Sequence, residues 1–151
     1  MNICTFRLGS RLFGSDIHLV KEVVADARIA LVPQASPDVA GLVNVRGKLH
    51  LVLDLHRMTG LERLSSPPDR VVLFKQAAGE SFGVAVDTLG DVLSLPESAI
   101  EDRRADEGPD SEARTDERRR ARHGIALGVG RTASGLVVLL DPRGLLPALE
   151  S

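Results

Sequence analysis

The chain has 151 residues, of which 43% are hydrophobic, so it is long enough to bury one ordinary core or two small ones. Aromatic residues make up only 3%, with no Trp or Tyr, and the formal net charge is −2. This composition argues against an aromatic platform for single-stranded nucleic acid, and it supplies no overall field that would attract phosphates. The core is therefore expected to be aliphatic.

The cysteine content and the length of the apolar runs argue against several classes of protein. The single cysteine, Cys4, excludes an internal disulfide and a multi-cysteine metal site. Its place in an alternating, strand-like run predicts a buried, unreactive thiol. No signal peptide is evident, and no apolar run approaches the roughly 20 residues of a membrane span. We therefore expect a soluble, cytoplasmic protein.

In chain order, alternating apolar residues predict short strands separated by turn signals. Strands are expected at residues 2–8, within 11–24, at 28–32, on both sides of the Arg46-Gly47 turn, and at 70–75, 81–87, 89–95, 124–129 and 135–140. One or two helical turns are expected between His56 and Leu64, and a short helix or turn is expected after Pro142. This pattern predicts an all-β fold with little helix.

Two sequence patterns occur twice. Phe13-Gly14, with the apolar and acidic residues after it, returns 69 residues later as Phe82-Gly83. Leu51-Val-Leu-Asp54 returns as Val138-Leu-Leu-Asp141 with a shift of 87, so the second copy has 87 − 69 = 18 additional residues. Two copies are too few for a solenoid. They predict two similar small barrels in one molecule.

The additional residues of the second copy are highly charged. Residues 101–122 contain eight acids and seven arginines, so little of this stretch can be buried. The segment 101–123 is therefore predicted to be a flexible loop or a solvated helix. Its basic cluster, Arg118 to Arg122, lies beside a similar number of acids, which favours a solvated face over a phosphate site.

One group of side chains is a candidate for chemistry. His50, Asp54 and His56 share one face of a predicted strand and could bind a metal or serve a hydrolase or ligand-binding barrel. Residues four apart on a strand are ~13 Å apart, however, which is too far for one ion. A solvated face is favoured, with the leucines of the opposite face, Leu49 to Leu55, in the core. No nucleophile elbow or phosphate loop is present, so neither enzymatic activity nor a cofactor or metal is expected.

The motifs together resemble the CheW-like domain, the coupling adaptor of bacterial chemosensory arrays. The resemblance covers roughly residues 3–149, and its motifs are Phe13-Gly14 to Val23, Val32-Pro33, Gly41 to Gly47, Asp54-Leu55, Phe82 to Asp87, Asp91 to Leu93 and Leu139-Leu140. It implies two side-by-side five-stranded SH3-like β-barrels with a hydrophobic groove between them. The single CheW-like domain, 1–151, would divide into a first barrel at about 12–70 and a second at about 2–10 plus 71–145.

The resemblance also implies a function. The family is a non-enzymatic cytoplasmic adaptor that is recruited to receptor arrays. It bridges the cytoplasmic tip of a methyl-accepting chemoreceptor to the regulatory domain of a CheA-type histidine kinase, without nucleic acid or membrane insertion. The residues that match family positions near these partner surfaces are Val20, Glu22, Gly41, Arg46, Val71 and Val92. An ion pair between Glu22 and Arg46 is a hypothesis at this point.

One segment departs from the family pattern. The stretch that usually follows the strand at 89–95 is replaced by Ile100-Glu-Asp-Arg-Arg104 and the charged insertion. Contacts that the family makes through this connection are therefore in question. The alternative function is an accessory paralogue that binds the receptor but couples weakly or not at all to the kinase.

Overall fold

The structure is a computed structural model and describes residues 1–61, 69–75, 81–102 and 126–145. Its strands are β1 (Asn2–Leu8), β2 (Arg11–Asp16), β3 (Val20–Val24), β4 (Ile29–Ala30), β5 (Val39–Val45), β6 (Lys48–Leu53), β7 (Arg70–Phe74), β8 (Phe82–Val86), β9 (Thr88–Ser94), β10 (Ile100–Asp102), β11 (Ala126–Thr132) and β12 (Gly135–Leu140). A short helix, α1 (Leu55–Thr59), follows β6, and 3-10 turns span Ile17–Leu19, Glu97–Ala99 and Pro142–Leu145. The predicted all-β class is confirmed. In these ranges no helix is long and apolar enough to cross a bilayer.

The strands form two six-stranded sheets with the same internal order. Sheet 1 is β4-β5-β6-β8-β7-β3, and sheet 2 is β10-β11-β12-β2-β1-β9. Each sheet has one parallel contact, in which Leu51 of β6 lies opposite Phe82 and Val138 of β12 lies opposite Phe13. These four residues are the two repeated pairs of the sequence. The repeat therefore corresponds to two halves with the same topology and register.

The sheets divide the chain differently from the predicted barrels. The β1–β2 hairpin joins β9 to β12, whereas the β7–β8 hairpin joins β3 to β6. Residues 11–16 therefore belong with the later strands, and residues 70–86 belong with the earlier ones, which corrects the predicted boundaries near 12 and 70. The physical reason is the parallel contact, because each Phe-Gly hairpin pairs with a strand of the other repeat. The short strands β4 and β10 bring each sheet to six strands rather than the predicted five.

The two halves share one aliphatic core that contains two aromatic pairs. The rings of Phe6 and Phe13 lie 6.0 Å apart, and the rings of Phe74 and Phe82 lie 5.8 Å apart. All four belong to a central cluster with residues of both sheets, and each sheet adds a smaller cluster of its own. Each fully buried Leu, Val or Phe contributes about 1.5–3 kcal/mol, so the shared cluster holds the halves together.

Strand β6 departs from the predicted alternation. Leu49 is 66% exposed, whereas His50 and Val52 of the face predicted to be solvated are buried. The reason is that both faces of β6 are covered further along the strand: Leu53 packs into the shared cluster, and Val52 packs into the cluster of sheet 1. The predicted solvated histidine face is therefore wrong. The predicted leucine core face is confirmed at Leu51, Leu53 and Leu55 but fails at Leu49.

The charged segment is only partly described. Residues Glu101 and Asp102 are in β10, so the first two residues of the predicted flexible segment belong to a strand. The remainder, including the cluster from Arg118 to Arg122, lies outside the described residues. After the segment, β11 pairs with β12 and with β10, so both sides of the insertion belong to sheet 2.

Candidate functional site

The β5–β6 turn brings two of the predicted site residues into contact. Arg46 and Gly47 both have positive φ, 54° and 83°, as a two-residue type I′ turn requires. The amide of Gly47 donates a hydrogen bond to Oδ1 of Asn44 at 3.0 Å, which closes the turn. Nη2 of Arg46 lies 3.2 Å from Oε1 of Glu22 on β3. The hypothesised ion pair is confirmed.

This ion pair adds little to stability. The side chain of Arg46 is 82% exposed and that of Glu22 is 29% exposed, and such a pair contributes about 0–1 kcal/mol. A positive φ at a residue other than glycine costs about 1–2 kcal/mol, so an arginine at this turn brings no net gain in folding. Exposed charges of this kind act mainly on the choice and orientation of a partner.

The equivalent place in sheet 2 has no such pair. The shift of 87 places Ala133-Ser134 at the turn where sheet 1 has Arg46-Gly47. The shift of 69 places Asp91 where sheet 1 has Glu22. Because both halves keep the same strand order without a second arginine at the turn, the fold does not require Arg46. The Glu22–Arg46 pair is therefore not among the residues that the fold requires.

The other four predicted residues differ in burial. Val71 is fully buried in the cluster of sheet 1, and Val20 is half-buried against the shared core. Gly41 is buried at a bulge in β5, where a Cβ would overlap the carbonyl oxygen of Ala30. Val92 is 54% exposed and lies on β9 of sheet 2, opposite Cys4. Only Val92 of these four presents an exposed side chain.

Two further exposed apolar residues were not predicted from the sequence. Val23 is 44% exposed and Leu49 is 66% exposed. Their equivalents through the repeat, Val92 and Leu136, are 54% and 62% exposed. Both halves therefore leave the same two positions open. The repeat is the sequence signal that could have found them, because Val92 was already among the predicted residues.

The three residues of the metal alternative do not form one cluster. Nδ1 of His56 lies 3.8 Å from Oδ1 of Asp54, but His50 has a separate partner. Nδ1 of His50 lies 2.8 Å from Oγ of Ser81, and Asp54 caps α1 by accepting the amide of Arg57. Nε2 of His56 lies 3.0 Å from Oδ2 of Asp87, and both side chains are buried. Across the described ranges, no group of three or more His, Cys, Asp or Glu residues is arranged to hold a metal.

Cys4 is buried in β1, as its alternating sequence predicts. Burial raises the pKa of the thiol above its usual value, because desolvation disfavours the thiolate. The thiolate is the reactive form of cysteine. Cys4 therefore serves as a core residue rather than as a nucleophile.

Comparison with known proteins identifies the family. A model of the CheW-like domain matches residues 2–150. The chain belongs to the CheW-like domain family. The solved scaffolding protein TtCheW from Thermoanaerobacter tengcongensis has a TM-score of 0.75 and 27% identity, covering 95% of this chain and 90% of that one. This match supports the predicted architecture of two similar β-rich halves.

Curated relatives carry chemotaxis names. They include the probable chemotaxis protein CheW of Rhizobium etli, 24% identical over 66% of this chain and 64% of the relative. The chemotaxis protein CheW of Klebsiella aerogenes is 27% identical over 63% of this chain and 57% of the relative. The matched stretch thus spans less than two thirds of the length of these relatives. The family membership confirms the predicted resemblance to the CheW-like domain, and these relatives and the solved neighbour are named as chemotaxis and scaffolding proteins.

Proposed function

We propose that this scaffold couples the cytoplasmic tip of a methyl-accepting chemoreceptor to the regulatory domain of a CheA-type histidine kinase. The observation that carries the proposal is the Glu22–Arg46 ion pair, which is exposed and adds little to stability. The fold repeats without an arginine at the second turn, so Arg46 serves a purpose other than folding. The adaptor would act in the cytoplasm, recruited to receptor arrays.

The proposed contact residues are Glu22, Arg46 and Val92, because each presents a partly or largely exposed side chain. Val20, Gly41 and Val71 would act indirectly, by fixing the positions of β3, β5 and β7 beside them. The three contact residues are divided between the two sheets. Glu22 and Arg46 lie in sheet 1, and Val92 lies in sheet 2. A bridging protein needs two such surfaces, one for each partner.

The test is assembly of three purified proteins: the chain, a receptor cytoplasmic fragment and the kinase regulatory domain. We expect the three to co-elute on size-exclusion chromatography, and we expect the receptor and kinase fragments to remain separate when the chain is left out. Failure of the chain to bring the two fragments into one peak would contradict the coupling function.

The accessory paralogue is a second candidate, favoured by the connection after β10. Strand β10 ends at Asp102, and the charged residues of the insertion follow it directly. Isothermal calorimetry with each partner separately distinguishes the two functions. Binding to the receptor fragment without measurable heat from the kinase domain would support the paralogue, whereas binding to both supports the coupling adaptor.

A further inference from the structure

Sheet 2 contains a cleft between the β1–β2 turn and the β11–β12 hairpin. Its volume is about 330 Å³, at the lower end of the range for ligand sites. One side is lined by Arg7, Ser10 and Arg11. Nη1 of Arg7 donates a hydrogen bond to the carbonyl oxygen of Ser10 at 3.2 Å, which holds the guanidinium beside the turn.

The opposite side of the cleft is aliphatic. Leu136 is 62% exposed and stands beside Val129 and Val138, with Leu12 buried below. Burial of an exposed leucine side chain by a ligand is favourable, because it removes apolar surface from water. The cleft therefore offers an apolar wall facing two cationic side chains.

The charge of the cleft is opposite to that of the whole chain. Two arginines line it and, among its described lining residues, none is acidic, although the chain carries a net charge of −2. Arginine binds carboxylates through paired N–H donors more readily than lysine does. The cleft thus complements a negative group that is carried close to an aliphatic one.

The repeat indicates that the fold does not require arginines beside an exposed leucine at this place. The shift of 87 places Leu49 at the position of Leu136, but the turn beside it is Arg46-Gly47 instead of Ala133-Ser134. In sheet 1 the arginine of the turn contacts Glu22, whereas in sheet 2 the small turn residues leave the cleft bordered by Arg7 and Arg11. The two halves thus present different charged surfaces.

We propose that the cleft binds an acidic segment of a partner protein, with a Glu or Asp carboxylate on Arg7 and Arg11 and a neighbouring Leu or Val side chain on Leu136. The commitment to a protein segment rests on the two chemistries lying side by side, because a free inorganic anion would leave the aliphatic wall uncovered. This inference is independent of receptor–kinase coupling, since it concerns residues outside the Glu22–Arg46 surface.

The test is a titration of the full chain, labelled with ¹⁵N, with the peptide acetyl-Val-Glu-Leu-Glu-amide, followed by NMR. We expect shifts at the backbone amides of Ser10, Arg11, Ser134 and Leu136. The same peptide with glutamine in place of both glutamates should bind about tenfold more weakly, because it lacks the charges that pair with the arginines. The double substitution Arg7→Gln, Arg11→Gln should weaken binding of the acidic peptide to a similar extent.

Two control variants test the location of the site and the role of its aliphatic wall. Arg28→Gln removes an exposed arginine outside the cleft and should leave the affinity unchanged, and Leu136→Ser should weaken binding of the peptide but not of free glutarate. Equal affinity for glutarate and the acidic peptide would reduce the cleft to a simple anion site and overturn the proposal. The same shifts on concentrating the chain without peptide would identify a second copy as the occupant and would also overturn it.

Discussion

Replacement of Asp87 by Ala is expected to lower the free energy of unfolding by about 2–5 kcal/mol. Oδ2 of Asp87 accepts a hydrogen bond from the amide of Gly9 at 2.6 Å and lies 3.0 Å from Nε2 of His56. The side chains of Asp87 and His56 are 1% and 4% exposed. Loss of the carboxylate would leave the buried ring of His56 and the half-buried amide of Gly9 without this partner, at a cost of about 1–3 kcal/mol each.

The position of Asp87 explains why this cost affects the whole molecule. Asp87 lies between β8 and β9, where the chain passes from sheet 1 to sheet 2. Gly9 belongs to the β1–β2 turn of sheet 2, whereas His56 lies in α1, which follows β6 of sheet 1. The backbone of Asp87 adds a hydrogen bond from its amide to the carbonyl oxygen of Arg7 at 2.9 Å. One carboxylate therefore connects the two halves.

Urea denaturation of matched variants checks this prediction. Asp69→Ala is the control, because Asp69 is 43% exposed and its pair with Arg70 should contribute less than about 1 kcal/mol. Asp87→Asn should fall between wild type and Asp87→Ala, since an amide oxygen still accepts one hydrogen bond. A loss for Asp87→Ala no larger than that for Asp69→Ala would contradict the assigned link between the halves.

Gly41→Ala is expected to destabilise the fold by about 2–4 kcal/mol. Gly41 has a φ of 153°, and a Cβ at this position would overlap the carbonyl oxygen of Ala30 and press on Cγ2 of Ile29. β4 would have to move away from β5, and the bulge between Val39 and Gly41 would be disturbed. The cost thus combines an unfavourable backbone conformation with overpacking.

Gly47→Ala separates these two contributions. Gly47 also has a positive φ, 83°, but a Cβ there would meet no atom within 4 Å. Gly47→Ala should therefore cost only the backbone term, about 1–2 kcal/mol. Thermal denaturation of the two variants checks this prediction. If Gly41→Ala were no more destabilised than Gly47→Ala, the result would contradict a contribution from overpacking at Gly41. Equal destabilisation would also remove the reason for proposing that Gly41 contributes indirectly to binding.

Local patterns in the sequence were sufficient to predict much of this fold. Alternating apolar residues located most strands, and the Phe13-Gly14 and Phe82-Gly83 repeat predicted two similar halves. The Glu22–Arg46 ion pair followed from the family motif, because the turn residue and the β3 acid both belong to it. In each case the information lies in a short segment or in a direct match between two segments.

Features that depend on distant pairing were not predictable in the same way. The exchange of the β1–β2 and β7–β8 hairpins between halves depends on parallel contacts such as Leu51 with Phe82, which no local pattern specifies. The burial of His50 and His56 depends on Ser81 and Asp87, which are 31 residues further along the chain. A period of two cannot show that both faces of β6 are covered.

If Arg46 serves partner binding rather than folding, its replacement should change the affinity of the receptor–kinase assembly but not the stability of the chain. Arg131→Ala is the matched control, because Arg131 is 76% exposed and paired with Glu101 at 3.6 Å in sheet 2. We predict that Arg46→Ala weakens assembly about tenfold or more, a change of about 1.4 kcal/mol, without lowering the thermal midpoint, and that Arg131→Ala assembles as wild type does. Assembly of Arg46→Ala with wild-type affinity would contradict the proposed role of Arg46 in partner binding.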